Sequence, residues 1–488
     1  MIAPLVERPV TAVFVLMLAQ VVFWTLAPAL SHSAPPLDVV EMYTWGREGV
    51  VATFKHPNLP GLILEATRLL SGQSGWPAYL VSQLFVAATF WVTFALGRDL
   101  MDAPRALTGT LLLTGVYFFS WPTPEFNHNV AQMPIWAALT LTLWRATTAG
   151  RWFYWLALGA LAGLGLWAKY SFGVVLVVAA VWILWDGDAR KRLLTPGPWI
   201  ALAAFAAVAA PQAIWLIDND FAPFGYAARR ASSGEWHASL EFLATLAIDC
   251  APMLIVLGIA GYFGAAHTQT APPTTARARN FLLLLGLGPT VLMALGALVS
   301  GASLRASWGA PMLSLVGLLV VALMHDKFSA DRLRRVALSA GVLVVLTSGL
   351  YFAHMRYGAA FTGKPLRGNW PQAEVSTQMS GTWRAETNGA PLEVVAGDIW
   401  TAGLVSMNGA NPPSVLINGD YATSPWVTRQ EVEQYGAMAV WSGDQPEALR
   451  DFIGARPVRV WTFYAPEAGP MGRGVDIHYA IIPPAATK

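Results

Sequence analysis

The sequence predicts an α-helical polytopic membrane protein of about eleven transmembrane helices with a C-terminal α/β domain. Three observations carry that expectation. Only 12% of the 488 residues are charged and 55% are hydrophobic, against the roughly 25% charge of an ordinary soluble chain. Apolar stretches approaching the about 20 residues needed to cross a bilayer recur as far as residue 353. From about residue 354 these stretches stop, and polar, Gly- and Pro-rich sequence takes over.

The first stretch, Val10 to Leu30, follows Glu7 and Arg8 and is long enough to span. It reads as a retained helix. The Ala-rich tail at Ala27 to Ala34 is the one feature that suits a cleaved signal peptide. Further stretches follow near 78–97, 105–121, 131–146, 152–168, 172–186, 198–217, 242–264, 280–300, 307–325 and 335–353. No internal repeat is visible, which counts against an inverted-repeat transporter.

Lys and Arg in short loops set orientation. With the N-terminus cytoplasmic, the inner loops hold about twice as many as the outer loops, and an odd span count leaves the C-terminus outside. The inner loops are brief, apart from a Thr-, Ala- and Pro-rich linker near 265–279. The outer loops are longer and carry most of the unusual polar residues. Residues 1–353 are therefore expected to form the membrane domain, with interfacial helices in 31–77, and 354–488 a periplasmic domain. In that tail, 392–397 and 457–462 read as strands. Helices are expected at 428–435 and 446–452, the second with Asp444 as N-cap.

Composition also excludes. A net charge of +2 is too small to argue for nucleic acid. One cysteine, Cys250, permits no intramolecular disulfide. No P-loop, dinucleotide fingerprint, His-Glu-x-x-His or Cys metal pattern is present, so nothing points to ATP, nicotinamide or a zinc protease. The 22 Trp residues suit membrane-interface belts and core packing.

The polar residues of the outer loops form a short series. Asp38 and Glu41 share one face if their segment is helical. Such a pair suits general-base chemistry or a metal, while Asp38 after Pro35-Pro36 equally suits a helix N-cap. Lys55-His56-Pro57 suits phosphate or metal binding; a solvated turn before an interfacial helix at 60–70 is the plain alternative. Glu125-Phe126-Asn127-His128-Asn129 places acid, amide and imidazole in one loop, suited to sugar hydroxyls or a metal, or else a polar loop end. Lys169-Tyr170 closes the fifth span; its Lys is either a snorkelling anchor or a phosphate ligand. Arg229, Arg230 and Arg305 suit phosphate or carboxylate, and Arg305 lies nearer a membrane mouth. Phe224-Gly225-Tyr226 suits stacking on sugar rings or lipid.

The order of these elements resembles that of polytopic glycosyltransferases with the GT-C fold, family 39-like. It runs from an apolar helix through Asp38-x-x-Glu41, Lys55-His56-Pro57 and Glu125 to Asn129, and ends in Gly-Leu-x-Leu-Trp-Ala-Lys169-Tyr170. That group includes bacterial lipid A aminoarabinose and galacturonic acid transferases and protein O-mannosyltransferases. Ser307-Trp308-Gly309-Ala310-Pro311-Met312 resembles the rhizobial-type branch. The resemblance covers roughly residues 1–325. It departs at Thr53-Phe54, where relatives often carry a second acid, and at Lys55-His56-Pro57-Asn58, where many have Lys-Pro-Pro.

The resemblance implies a GT-C fold in the bacterial inner membrane and a sugar donor carried on polyprenyl phosphate. It implies Asp38, supported by Glu41, as the base that deprotonates the acceptor, and inversion at the sugar carbon. Lys169, Arg305, Lys55 and His56 are expected to hold the donor phosphate. Glu125, Asn127, His128, Asn129, Tyr170 and Trp308 are expected to bind sugar or acceptor, the acceptor being lipid A, another lipid or a glycan. No cofactor is required; a divalent metal, if used, would fall to Asp38, Glu41, Glu125 and His128. The rival readings are a lipid or sugar transporter and a non-catalytic glycan-binding scaffold.

Overall fold

The computed structural model describes residues 7–231, 237–264, 274–409, 411–469 and 472–485. Most of the linker expected at 265–279 lies outside them. The chain forms two compact units. One comprises Met1–Leu26, Phe54–Leu59 and Leu80–Ser348; the other comprises Ala27–Thr53, Pro60–Tyr79 and Gly349–Lys488.

The helices run in order as α1 (Pro9–Ser31), α2 (Leu37–Arg47), α3 (Leu59–Ser71), α4 (Trp76–Leu100), α5 (Ala103–Leu112), α6 (His128–Ala149), α7 (Trp152–Ala168) and α8 (Gly173–Trp185). Then follow α9 (Gly187–Arg192), α10 (Gly197–Asp218), α11 (Ala222–Ala231), α12 (His237–Asp249), α13 (Ala251–Ala260), α14 (Ala276–Ser300), α15 (Val316–Leu323) and α16 (Ala330–Thr362). Among the described residues, seven helical segments are long and apolar enough to cross a membrane: α1, α4, α10, α12 with α13, α14, Ala306–Leu323 and α16. Two shorter apolar ones are Trp152–Ala168 and Tyr170–Trp185. The expected stretch at 105–121 is not one continuous helix. α5 stops at Leu112 and two short 3-10 turns follow, Leu113–Gly115 and Tyr117–Phe119. There the Thr114 hydroxyl donates to the Leu111 carbonyl, a local bond that competes with helix continuation.

Aromatic bulk fills the helical unit. Trp136, Trp144, Trp155, Trp182, Phe172 and Phe281 are buried in one cluster contributed by α6, α7, α8, α14 and the turn Tyr170–Phe172 before α8. Between membrane helices such side chains stabilise through close van der Waals packing rather than through removal from water. α7 lies directly on α10 because it presents glycines: a Cβ at Gly159 would come within 2.0 Å of the Ala201 carbonyl oxygen, and one at Gly163 within 2.7 Å of Val208 Cβ. Small residues four apart let helix backbones approach in this way.

The second unit holds a five-stranded sheet ordered β2-β1-β3-β5-β4. Its strands are β1 (Val394–Gly397), β2 (Ser414–Ile417), β3 (Ala437–Trp441), β4 (Arg459–Phe463) and β5 (Val475–Ile482). β1 pairs in parallel with β2 and β3, while β5 runs antiparallel to both β3 and β4. Its helices are α17 (Gln372–Glu386), α18 (Ile399–Ser406), α19 (Arg429–Tyr435) and α20 (Glu447–Ile453). Both strands and both helices expected in the tail are present. Thr428 caps α19, and Glu431 reaches back to complete a reciprocal capping box. Asp444 does not cap α20: the helix begins one residue after Pro446, which takes the cap position with no side-chain bond.

This unit also takes in 27–53 and 60–79, whereas the sequence suggested a single boundary at 353/354. The contacts are specific. α2 packs on α18, where a Cβ at Gly403 would lie 2.4 Å from Val40 Cγ1. Arg47 donates to the Pro413 carbonyl at 3.1 Å, and the Ser33 amide to the Gly368 carbonyl at 2.7 Å. His32 is held between the Tyr79 and Tyr351 hydroxyls at 2.9 and 3.0 Å.

Candidate active site

The site in the helical unit grows from the end of α7. The helix stops at Lys169, whose backbone turns extended while its amide still bonds to the Gly165 carbonyl. The turn Tyr170–Phe172 then redirects the chain into α8. The Lys169 side chain is therefore turned into the protein and only 6% exposed. Its ammonium donates to Asn129 Oδ1 at 2.7 Å and stands 5.3 Å from the Trp308 ring centroid. Both contacts partly replace the water a buried ammonium loses.

Asn129 is presented by the first turn of α6. The Asn127 side chain caps that helix, accepting from the Asn129 and Val130 amides. His128, buried beside it, donates from Nε2 to the Pro57 carbonyl at 2.9 Å. In the neutral ring this leaves Nδ1 as an acceptor. The His56 and His128 rings lie 4.4 Å apart. Burial, reinforced by His128, Lys169 and Lys55, pushes His56 well below the usual histidine pKa. His56 is thus neutral at ordinary pH and offers a polar ring rather than a charge. The segment leading into α6 is fixed from beneath. Gln83 donates to the Thr123 hydroxyl at 3.0 Å, and Gln20 donates to Gln83 Oε1 and the Phe119 carbonyl.

These groups surround a cavity of about 280 Å³. Lys55, His56, Lys169, Tyr170, Arg305 and Trp308 all line it, so the four residues expected at the donor phosphate stand around one space. Tyr170 donates to Gln212 Oε1 at 2.9 Å and stacks on Phe224 at 5.4 Å. Tyr226 meets Phe54 edge-on at 5.7 Å. Among the described residues three cations and no acid appear on the lining, which is otherwise mainly aromatic and apolar. That composition suits an anion joined to an apolar chain.

The other candidates are placed differently. His128 and Asn129 support the lining residues from behind, and Asn127 serves as a cap. Glu125 sits half-buried in the tight turn before α6. Arg229 is exposed on α11, while the side chain of Arg230 falls outside the described residues. Asp38 and Glu41 stand on α2, in the second unit. Asp38 lies in the first turn and is not the cap, a position held by Pro36; Glu41 is 7% exposed. Among the described residues no group of three or more His, Cys, Asp or Glu side chains could hold a metal ion. Sequence reasoning had not singled out Ser171 or Met293 as lining residues, since nothing in their local pattern marks them.

Comparison with known proteins adds to this geometry. The profile of the dolichyl-phosphate-mannose-protein mannosyltransferase family matches residues 55–215, the segment holding Lys55, His56 and Lys169. The lipopolysaccharide core galacturonosyltransferase RgtA of Rhizobium johnstonii is 24% identical over 373 residues, covering 73% of this chain and 71% of RgtA. ArnT from Cupriavidus metallidurans, solved bound to undecaprenyl phosphate, superposes with a TM-score of 0.64 at 15% identity, covering 96% of this chain and 97% of ArnT. The arabinofuranosyltransferase AftD from Mycobacteria superposes with a TM-score of 0.53 at 14% identity, over 98% of this chain and 40% of AftD. The likeness to ArnT along almost the whole of both chains shows a common fold.

Proposed function

We propose that this chain, a multi-pass membrane protein of the GT-C fold, is a glycosyltransferase using a polyprenyl-phosphate-linked sugar as donor. The observation that carries the reading is the convergence of Lys55, Lys169, Arg305 and His56 on one aromatic-lined cavity. The match of residues 55–215 to the mannosyltransferase family and the undecaprenyl phosphate held by ArnT support it.

In the proposed reaction an acceptor hydroxyl attacks the anomeric carbon. The bond from that carbon to the phosphate oxygen breaks, and polyprenyl phosphate leaves. The donor is a phosphodiester with one negative charge, and the leaving monoester gains a second. Lys169, Lys55 and Arg305 therefore bind the departing group more strongly than the ground state, which lowers the barrier. Asp38 takes the acceptor proton, and the product is inverted at the anomeric carbon. The cell-envelope setting is the bacterial inner membrane, with the N-terminus cytoplasmic and the α/β unit periplasmic.

The donor sugar is taken to be acidic, a hexuronic acid. Among the described residues three cations line the cavity against one charge on the phosphodiester, and a sugar carboxylate would offset part of the excess. The name of RgtA points the same way.

The test is release of polyprenyl phosphate by the purified chain in nanodiscs, with galacturonic acid or galactose as the carried sugar and lipopolysaccharide core as acceptor. Acceptor-dependent release, faster with the uronate, is expected. Transbilayer movement of the donor without release would establish a transporter, and no release or movement a scaffold. Equal rates for the two sugars would remove the acidic-sugar assignment alone.

A further inference from the structure

We propose that the α/β unit carries a second binding site, for a saccharide, in the groove between α19 and α20. The groove encloses about 730 Å³, within the range of small-molecule sites. One wall is the loop Gly419 to Ala422, which leaves the carboxyl end of β2. Gly419 has φ +73, and a Cβ there would lie 2.9 Å from Phe452 Cβ, so the loop is seated hard against α20. The carboxyl ends of parallel strands are where α/β folds tend to bind ligands.

The chemistry of the walls indicates the ligand class. Tyr421 and Phe452 bring two aromatic rings to the groove, their centroids 6.3 Å apart. Charged groups of both signs surround them: Asp420, Glu433 and Asp451 against Arg429 and Arg456. Arg429 and Glu433 are four apart on α19, a spacing at which side chains are neighbours. The Arg429 guanidinium lies over the Tyr421 ring at 4.7 Å, and Arg456 donates to the Ile453 carbonyl. Elsewhere in this unit charges do pair, as in Arg356–Glu467 and Arg459–Glu386. Around the groove, planar carboxylates and guanidinium groups stay apart and face a shared space. Such groups bind adjacent hydroxyls through paired hydrogen bonds, and aromatic rings take the apolar faces of sugar rings. Three acids against two arginines leave a net of one negative charge, which favours neither a polyanion nor a polycation. A neutral or weakly charged polyhydroxylated ligand fits all of these features. In the enzyme it would be the glycan part of the acceptor, a role that rests on the transferase reading; the binding itself does not.

The probe is the lipid-free oligosaccharide released from lipopolysaccharide core by mild acid, titrated by calorimetry onto the full chain in nanodiscs. The wild-type chain should bind it. Glu433→Gln with Asp451→Asn, both exposed positions, should weaken binding at least tenfold and leave polyprenyl phosphate binding unchanged. No binding by the wild-type chain at millimolar sugar, or equal binding by the double variant, would overturn the site. Sugar transfer without oligosaccharide binding would reject the groove and keep the transferase; binding that depends on these two acids in a chain that transfers nothing would do the reverse.

Discussion

In the helical unit Lys169 is 6% exposed and its ammonium is already bonded to Asn129. In the α/β unit Glu433 and Asp451 stand exposed around a groove more than twice as large. The two regions use charge in different ways. A buried, positioned cation acts in a medium of low effective dielectric and needs no rearrangement when charge develops on the substrate. Exposed groups are screened by water and each contributes little. The first arrangement suits bond breaking, and the second suits reversible recognition of a polar ligand.

That contrast ranks the expected effects of substitution. The largest falls on the proposed base. Asp38→Asn should lower transfer by roughly 10²–10⁴-fold, measured as the initial rate of polyprenyl phosphate release, with the protein still inserted and folded. A variant that kept full rate would remove Asp38 from the chemistry. Arg305 lines the cavity but is exposed. Arg305→Ala should cost about 1 kcal/mol, roughly a fivefold loss of rate; a loss as deep as that of Asp38 would show that Arg305 is buried when the donor is bound.

The scaffold can be broken separately from the chemistry. Gly159→Leu inserts a side chain where α7 meets the Ala201 carbonyl. Overpacking of this kind costs about 1–3 kcal/mol, which should lower the thermal midpoint in detergent. An unchanged midpoint would mean that the two helices do not touch there.

The smallest effect is on pH dependence. Burial holds His56 well below its ordinary pKa of 6.5, helped by His128, Lys169 and Lys55. Burial likewise brings His32, just past α1, down to about 4. The unfolded chain takes up these protons near pH 6.5, and the folded chain takes them up only at lower pH. Stability is therefore full above 6.5 and declines as pH falls toward the folded values. The thermal midpoint should be lower at pH 5.5 than at 7.5, and His56→Gln should reduce the difference. A midpoint equal or higher at pH 5.5 would contradict the burial of these rings.

Local pattern made much of this architecture legible. The apolar stretches and the run of α7 ending at Lys169 each have a periodicity or a composition break of their own. The family resemblance also grouped Lys55, His56, Lys169 and Arg305, which line one cavity. What escaped were partnerships across long sequence separations. Nothing in the sequence pairs Asn129 with Lys169, 40 residues away, from whose ammonium it accepts a hydrogen bond. Residues 27–53 were read with the membrane domain, yet Arg47 bonds to Pro413 across 366 residues. Neither contact leaves a repeating signal. Asp444 failed as a cap for a smaller reason: helix starts are uncertain by a residue or two, and Pro446 took the position.

Binding of polyprenyl monophosphate to the wild-type chain and to Lys169→Met tests the central claim most directly. Native mass spectrometry of the detergent-solubilised protein gives both affinities. Methionine keeps the apolar stem of Lys169 and removes the charge bonded to Asn129, so the fold should persist. The account predicts binding at least tenfold weaker in the variant, the loss of one charge-assisted phosphate contact. Equal affinities would contradict the assignment of this cavity to the donor phosphate.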